Sequence, residues 1–344
     1  MRIFLDAMGG DNAPQAPVAG TIEALRRFPE IEIELAGVLS QVEPLLTDCD
    51  DVRSRITLVD APEVITNHES PVMGVRTKKQ SATVIGMLKL RNKEVDGFVA
   101  AGSTGAVLAG GMFRLGRIPG IERPALAPLM PNGHGHFLLI DCGANVECTA
   151  EYLLQFAYMG SFYAKKIMGC DSPRVGLLNV GTEDTKGGAL QHQAFALLKK
   201  AGEEGRINFI GNVEGTDVFA GRADVVVTDG FTGNVMLKAT EGTIKYIMKQ
   251  LKGVFYKSTK NKLAAAVLKK DLGIMKKSMD VNEVGGTALV GISRPVIKAH
   301  GSSNAASIFA AVRQAVAFVN AGIIGDIENN IDYMRINTEN NGEA

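Results

Sequence analysis

Short apolar, β-branched runs recur along the chain, and most are followed by a polar turn containing glycine and then by apolar residues at helical spacing. Residues 223–237 show the whole unit: a run of valines, the turn Asp-Gly-Phe-Thr-Gly-Asn, and a helix pattern through Ile247 with lysines between the apolar positions. This spacing predicts a buried strand, a tight loop and a helix N-terminus. Residues 95–107 repeat it, with Gly102-Ser103-Thr104-Gly105 in the turn, and both turns read Gly-x-Thr-Gly-x-Val. Such a turn suits an anion, because unpaired N–H groups and the positive end of a helix dipole point the same way. It is equally a way of letting the chain turn.

The remaining units follow the same plan. A strand at 2–5 leads through the loop from Asp6 to a helix at 15–28. The run at 31–38 alternates apolar with acidic residues and predicts a strand with one wetter face, nearer an edge. Further strands are predicted at 56–59, 137–140, 175–180 and 207–210, with helices at 150–168 and on to Lys200. Residues 286–291 and 296–299 read as an antiparallel or crossover pair, before a helix at 305–320. The stretch 116–131 holds Pro119, Pro124, Pro128 and Pro131 and predicts an irregular connection or an edge segment, a candidate subdomain boundary. Alternating strands and helices predict an α/β protein, a mainly parallel open sheet sandwiched by helices, with one domain over 1–326 and a loose polar tail at 327–344. The polar loops are then expected to share one carboxyl edge, where such sheets bind ligands.

Composition changes this picture little. The 344 residues are 46% hydrophobic, enough for a well-filled core, and 37 basic side chains balance 37 acidic ones, which gives no sign of nucleic-acid binding. Four cysteines without metal spacing, and no signal-like N-terminal run, point to free thiols in a reducing cytosol. No uninterrupted apolar run approaches the ~20 residues of a membrane span.

Locally the balance breaks. Ten lysines between Lys245 and Lys277 face a single acid, Asp271, and are interleaved with Leu251, Val254, Phe255, Leu263, Val267 and Leu268. The pattern predicts a protruding amphipathic helical hairpin broken near Ser258. Such a hairpin can lie on anionic lipid, receive an acidic protein, or pack its apolar stripe on the body or a second subunit.

Dinucleotide, P-loop and nucleophile-elbow signatures are all missing, which disfavours nucleotide chemistry and a covalent acyl-enzyme. His134 and His136 flank a glycine and read as a metal pair or as a solvated loop. The candidates left are loop residues: Asp6 and Asp11 with Gly9 and Gly10, Asp141 with Asn145, Glu183 with Lys186, Asp229 with Asn234, and His300 with Ser302. Each alone reads as a cap or turn residue.

Together, the motifs at 6–14, 101–105, 141–145 (Asp-Cys-Gly-Ala-Asn), 179–183, 229–234 and 299–303 resemble the bacterial phosphate acyltransferase family, the acyl-ACP:phosphate acyltransferases, over nearly the whole chain. The resemblance implies transfer of a fatty acyl group from acyl carrier protein (ACP) to inorganic phosphate, without cofactor or metal. The acyl phosphate would feed phospholipid synthesis through a membrane glycerol-3-phosphate acyltransferase. It also implies a fold similar to the isocitrate and isopropylmalate dehydrogenases, a homodimer, and a cytoplasmic protein peripherally attached to the membrane.

The chemistry suits the inventory. Phosphate is already an anionic oxygen nucleophile and a thiolate leaves readily, so the protein mainly has to position and to stabilise an oxyanion. On the resemblance, Lys186, Asn234 and His300 are assigned to catalysis, His300 as proton donor to the thiol. Asp6, Gly9, Gly10, Asp11, Gly102, Ser103, Thr104, Gly105, Asp141, Asn145, Glu183, Asp229, Phe231, Thr232, Gly233, Gly301, Ser302 and Ser303 are assigned to phosphate or substrate. Leu251, Phe255, Leu263, Val267, Leu268, Lys269 and Lys270 are assigned to the membrane or ACP. Asn12 stands where the family commonly has His, so it receives no proton-transfer role. The rival readings are a phosphotransacetylase-like enzyme using acyl-CoA, a β-decarboxylating dehydrogenase, and a non-catalytic ACP-binding scaffold.

Overall fold

The computed structural model describes residues 1–279 and 285–334. Eleven described strands form one sheet: β1 (Arg2–Asp6), β2 (Glu32–Gly37), β3 (Ile56–Asp60), β4 (Gly97–Ala100), β5 (Ala125–Asn132), β6 (Gly135–Ile140), β7 (Arg174–Leu178), β8 (Asn208–Val213), β9 (Val225–Val227), β10 (Thr287–Val290) and β11 (Val296–Lys298), in the order β3-β2-β1-β4-β11-β10-β5-β6-β9-β7-β8. The helices are α1 (Gln15–Arg27), α2 (Leu39–Val42), α3 (Pro71–Thr77), α4 (Ala82–Arg91), α5 (Thr104–Gly110), α6 (Ala150–Ile167), α7 (Ala189–Glu203), α8 (Gly215–Phe219), α9 (Gly230–Tyr256), α10 (Thr259–Val267), α11 (Lys269–Ser278), α12 (Ala305–Ala321), α13 (Ile323–Asn329) and α14 (Ile331–Met334).

Alternation along the strands fills both faces, as a period of two requires. Ile3 and Leu5 of β1 join a core with Leu25 of α1 and Val312 of α12, while Phe4 between them stacks on Phe98 in a second core with Met87 of α4. The sheet is mainly parallel, as expected, but it is not parallel throughout. β10 pairs antiparallel with both β11 and β5, and β5 pairs antiparallel with β6. These three reversals set β3, β2, β1, β4 and β11 against β6, β9, β7 and β8. The expectation of one shared carboxyl edge is therefore corrected: the loops after β1, β4 and β11 leave one edge, and those after β6, β7 and β9 leave the other.

Three other expectations change. The second half of the proline-rich stretch is β5, buried from Ala125 through Pro131 near the centre of the sheet. Pro128 and Pro131 each withhold a ladder hydrogen bond, and burial on both faces holds the strand regardless. The wet face expected of β2 is absent. β2 lies between β3 and β1, and Glu34 is buried against the Lys89 ammonium at 2.8 Å. The start of the expected loose tail is helical, with Ile327 and Met334 fully buried; its last part, 335–344, lies outside the described residues.

The basic segment is the outer half of the 27-residue α9 followed by α10 and α11. Ser258 makes the break by accepting a hydrogen bond from the Asn261 N–H at 3.2 Å, as an N-cap does. Residues 305–329 contain a window with the length and hydropathy of a membrane span, but half of that window is buried, and α12 packs along α1 in the core.

Candidate active site

Three loops of the first edge pack on one another almost without side chains. A Cβ on Gly9 would overlap the Gly102 backbone, and Gly10, at φ +98°, lies under the Gly301 carbonyl. Asp11 N–H donates to Gly301 O at 2.7 Å, and the Asn12 amide donates to Ser303 O at 3.1 Å. Asp6 turns back into its own loop, accepting from Met8 N–H at 2.9 Å and from the Thr83 hydroxyl at 3.3 Å. Burial pushes its carboxyl pKa up. Asp6, Gly9, Gly10, Asp11 and Gly102 thus build a wall and do not line the cavity described below.

On the other edge the organiser is Asp141. Its two oxygens accept from the backbone N–H groups of Leu126, Cys142, Ala144 and Asn145 and from the Asn145 amide, at 2.6–3.2 Å. That uses the acceptor capacity of a carboxylate, so neither Asp141 nor Asn145, whose amide also holds Pro124 O, is free for substrate.

The same loop closes the N-terminus of α9. Gly230 N–H donates to Asn145 O at 2.8 Å, Asp229 caps Thr232 at 2.8 Å and 2.7 Å, and Gly233 packs against Asp141 O. Of the N–H donors expected to meet an anion in this turn, those of Gly230, Thr232 and Gly233 are already taken by Asn145 and Asp229. Phe231 and Thr232 stay exposed beside it.

What α9 does is cross between the edges. It rises about 1.5 Å per residue, so Asn234 sits by the Cys142 carbonyl while Lys238 and Glu241, one and two turns on, reach His300. Between them lies a cavity of about 160 Å³ lined by Thr104, Asn234, Lys238, Glu241, Lys298, His300 and Gly301 with the β5 residues Leu126, Pro128 and Leu129. Of the residues assigned from sequence, Thr104, Asn234, His300 and Gly301 are brought together here.

His300 contacts the Ser302 hydroxyl at 2.9 Å and the Lys238 ammonium at 3.3 Å, with Glu241 at 3.8 Å. Burial first, and then the lysines, lower its pKa from the ordinary 6.5 against the pull of Glu241. At neutral pH it is a neutral imidazole, so it accepts a proton before it can donate one. Cys142 is buried, its thiol pushed up to about 12 by burial, and is no nucleophile. Lys238, Glu241 and Lys298 are cavity residues that the sequence reading passed over. Lys298 carried a legible signal, a lysine closing the apolar strand run Val-Ile-Lys-Ala.

Lys186 and Glu183 lie apart from this cavity. They form an exposed pair at 3.7 Å on the loop after β7, next to β9 on the second edge. Ser103 caps α5, Gly105 makes room for Pro71, and Ser303 is buried behind the loop. Of the residues assigned to a membrane or protein partner, Leu251, Phe255 and Lys269 line a groove of about 780 Å³ between α9, α10 and α11. Leu263, Val267, Leu268 and Lys270 face outward, Val267 at 83% exposure. Among the described residues no group of three His, Cys, Asp or Glu side chains is placed to hold a metal ion.

The architecture places the chain in a class, the α/β fold that phosphotransacetylases also have. A phosphotransacetylase from Streptococcus pyogenes aligns with a TM-score of 0.60 over 93% of this chain and 94% of its own at 18% identity, and a branched-chain phosphotransacylase from Enterococcus faecalis with 0.54 over 93% and 99% at 14% identity. Sequence narrows the class. The family described as fatty acid synthesis protein matches residues 1–325. Proteins named phosphate acyltransferase are 50% identical in Oceanobacillus iheyensis (92% of each chain), 49% in Bacillus cereus (95% of this chain, 97% of the relative) and 46% in Lysinibacillus sphaericus (98% and 100%). The chain belongs to the phosphate acyltransferase family.

Replacing Asp141 by Ala is expected to lower the free energy of unfolding by on the order of 3 kcal/mol, since each orphaned buried donor costs about 1–3 kcal/mol. Urea denaturation measures it, and a loss below about 1 kcal/mol would remove Asp141 as the organiser.

Proposed function

We infer that this protein is an acyltransferase that moves a fatty acyl group from its thioester on ACP to inorganic phosphate, giving acyl phosphate and free ACP for phospholipid synthesis. The observation that carries the reading is identity of 46–50% over at least 92% of the chain to proteins named phosphate acyltransferase. The cavity is consistent with it. A phosphate oxygen attacks the thioester carbonyl carbon, the C–S bond breaks, and the thiolate takes a proton. The Asn234 amide, held only loosely by the Cys142 carbonyl at 3.5 Å, donates to the developing oxyanion. His300, neutral at rest, takes the proton lost by the attacking phosphate and returns it to the departing sulfur. Lys186 stands outside the cavity on the exposed loop after β7, paired with Glu183, and in this reading it adds its charge to the reacting oxygens only when that loop moves in over bound substrate.

We extend the reading to surroundings. In α9 the buried residues are Gly230 and Gly233, and Phe231, Val235, Tyr246 and Ile247 remain exposed, which suits a second copy and a homodimer. The lysines of α9 to α11, with Leu263, Val267 and Leu268 outside, suit an anionic membrane surface or the acidic face of ACP. The protein then works in the cytoplasm, peripherally at the membrane that holds the downstream glycerol-3-phosphate acyltransferase.

Purified protein mixed with palmitoyl-ACP and orthophosphate should release thiol and yield a hydroxamate with hydroxylamine, both dependent on phosphate. Phosphate-independent thiol release would indicate a thioesterase instead, and faster reaction with acyl-CoA would move the donor. In that assay Lys186→Ala should lower turnover by about two orders of magnitude; near-normal turnover removes it from the mechanism. With His300 depressed below 6.5, activity should fall as pH drops through its pKa, and His300→Gln should abolish that limb. Vesicles of anionic lipid should sediment the protein, and Val267→Glu with Leu268→Glu should release it; unchanged sedimentation of the variant excludes these helices as the anchor.

A further inference from the structure

Lys298 closes β11, and its neighbours Val296, Ile297 and Ala299 are at most 1% exposed. The lysine itself is 6% exposed, yet it lines the cavity. An ammonium is costly to bury without a counter-charge. Among the described residues no carboxylate lies within ion-pair distance of its Nζ, which donates instead to two main-chain carbonyls, Ala101 O at 3.3 Å and Ala299 O. An ammonium has three N–H donors, so one remains for the cavity. Asp6 and Asp11 act on it only at longer range, and a second cation, Lys238, stands across the space and opposes it. Glu241 is engaged with Lys238 at 3.0 Å.

We propose that Lys298 is the principal phosphate-binding residue, holding the phosphate that is to be acylated at the floor of the cavity, with Lys238 closing on the same anion from α9. A multivalent anion between two ammonium groups supplies the counter-charge the protein withholds, and Asn234 and His300 on the cavity wall then meet a phosphate already in place. The alternative role for Lys298 is structural, tying the ends of β4 and β11 together through the two carbonyls. The proposal rests on the reading that this protein acylates phosphate.

Inorganic phosphate alone is the probe. Its binding to the full chain, followed by calorimetry or phosphorus NMR without acyl donor, should weaken by about 10- to 150-fold in Lys298→Met, the scale of one charged hydrogen bond. In turnover the same variant should raise KM for phosphate while KM for acyl-ACP stays within about twofold. Burial and Lys238 lower the Lys298 pKa to about 8, so phosphate affinity in the native protein should fall as pH rises through that value. Lys298→Arg, which stays charged, should flatten that limb. The titratable groups lining the cavity beside Lys298 are Lys238 and Glu241 from α9 and His300 after β11, with Asp6 and Asp11 acting from behind the wall; His300 titrates below this range. A folded Lys298→Met protein with unchanged phosphate affinity, or one whose melting temperature falls while both KM values hold, would overturn the proposal. If Lys298→Met does not fold, Lys298→Arg with an undiminished pH limb overturns it. Phosphate binding lost in Lys298→Met, alongside a native protein that forms no hydroxamate, would uphold the site and sink the transfer reading, so the two failures are distinguishable.

Discussion

The buried carboxylate of Asp141 is the contact on which the working centre depends. It holds the start of β5, the loop that follows β6 and, through Asn145, the first turn of α9. These three pieces meet where the sheet changes direction. Fixing α9 at that point sends the helix across from one edge to the other, and the cavity exists because of that crossing.

Charge is arranged around the crossing with the same economy of parts. The loops of the first edge use glycine to approach closely, which leaves His300 and Lys298 as the reactive side chains they present. The helix brings Asn234, Lys238 and Glu241 from the other side. Burial and the neighbouring ammonium groups hold the imidazole neutral, and the buried Lys298 has no carboxylate within ion-pair distance among the described residues. Both conditions suit a reaction whose nucleophile is itself an anion and whose leaving group needs a proton.

Most strands and helices were legible because burial on both faces of a parallel sheet produces β-branched runs, as at 225–227 and 296–298, and glycine marks the turns. β5 was not legible, since its prolines argue against a strand, and only packing against β10 and β6 overrides them. Asp141, Asn145 and Asp229 are conspicuous in sequence, and their side chains are engaged in building the loops: Asp141 accepts from four backbone N–H groups, the Asn145 amide donates to Pro124 O and Asp141, and Asp229 accepts from Thr232. Lys238 and Glu241 looked like ordinary surface residues of an amphipathic helix.

The α/β class, the family and the positions of the turns were readable in the chain, because these rest on local periodicity and on contiguous motifs. Only tertiary packing shows that the sheet reverses at its centre, that loops of both edges line the cavity, and that among the described residues Lys298 has no carboxylate within ion-pair distance. The pairings of β10 with β5 and of β11 with β4 join residues more than a hundred positions apart, and no local pattern records them.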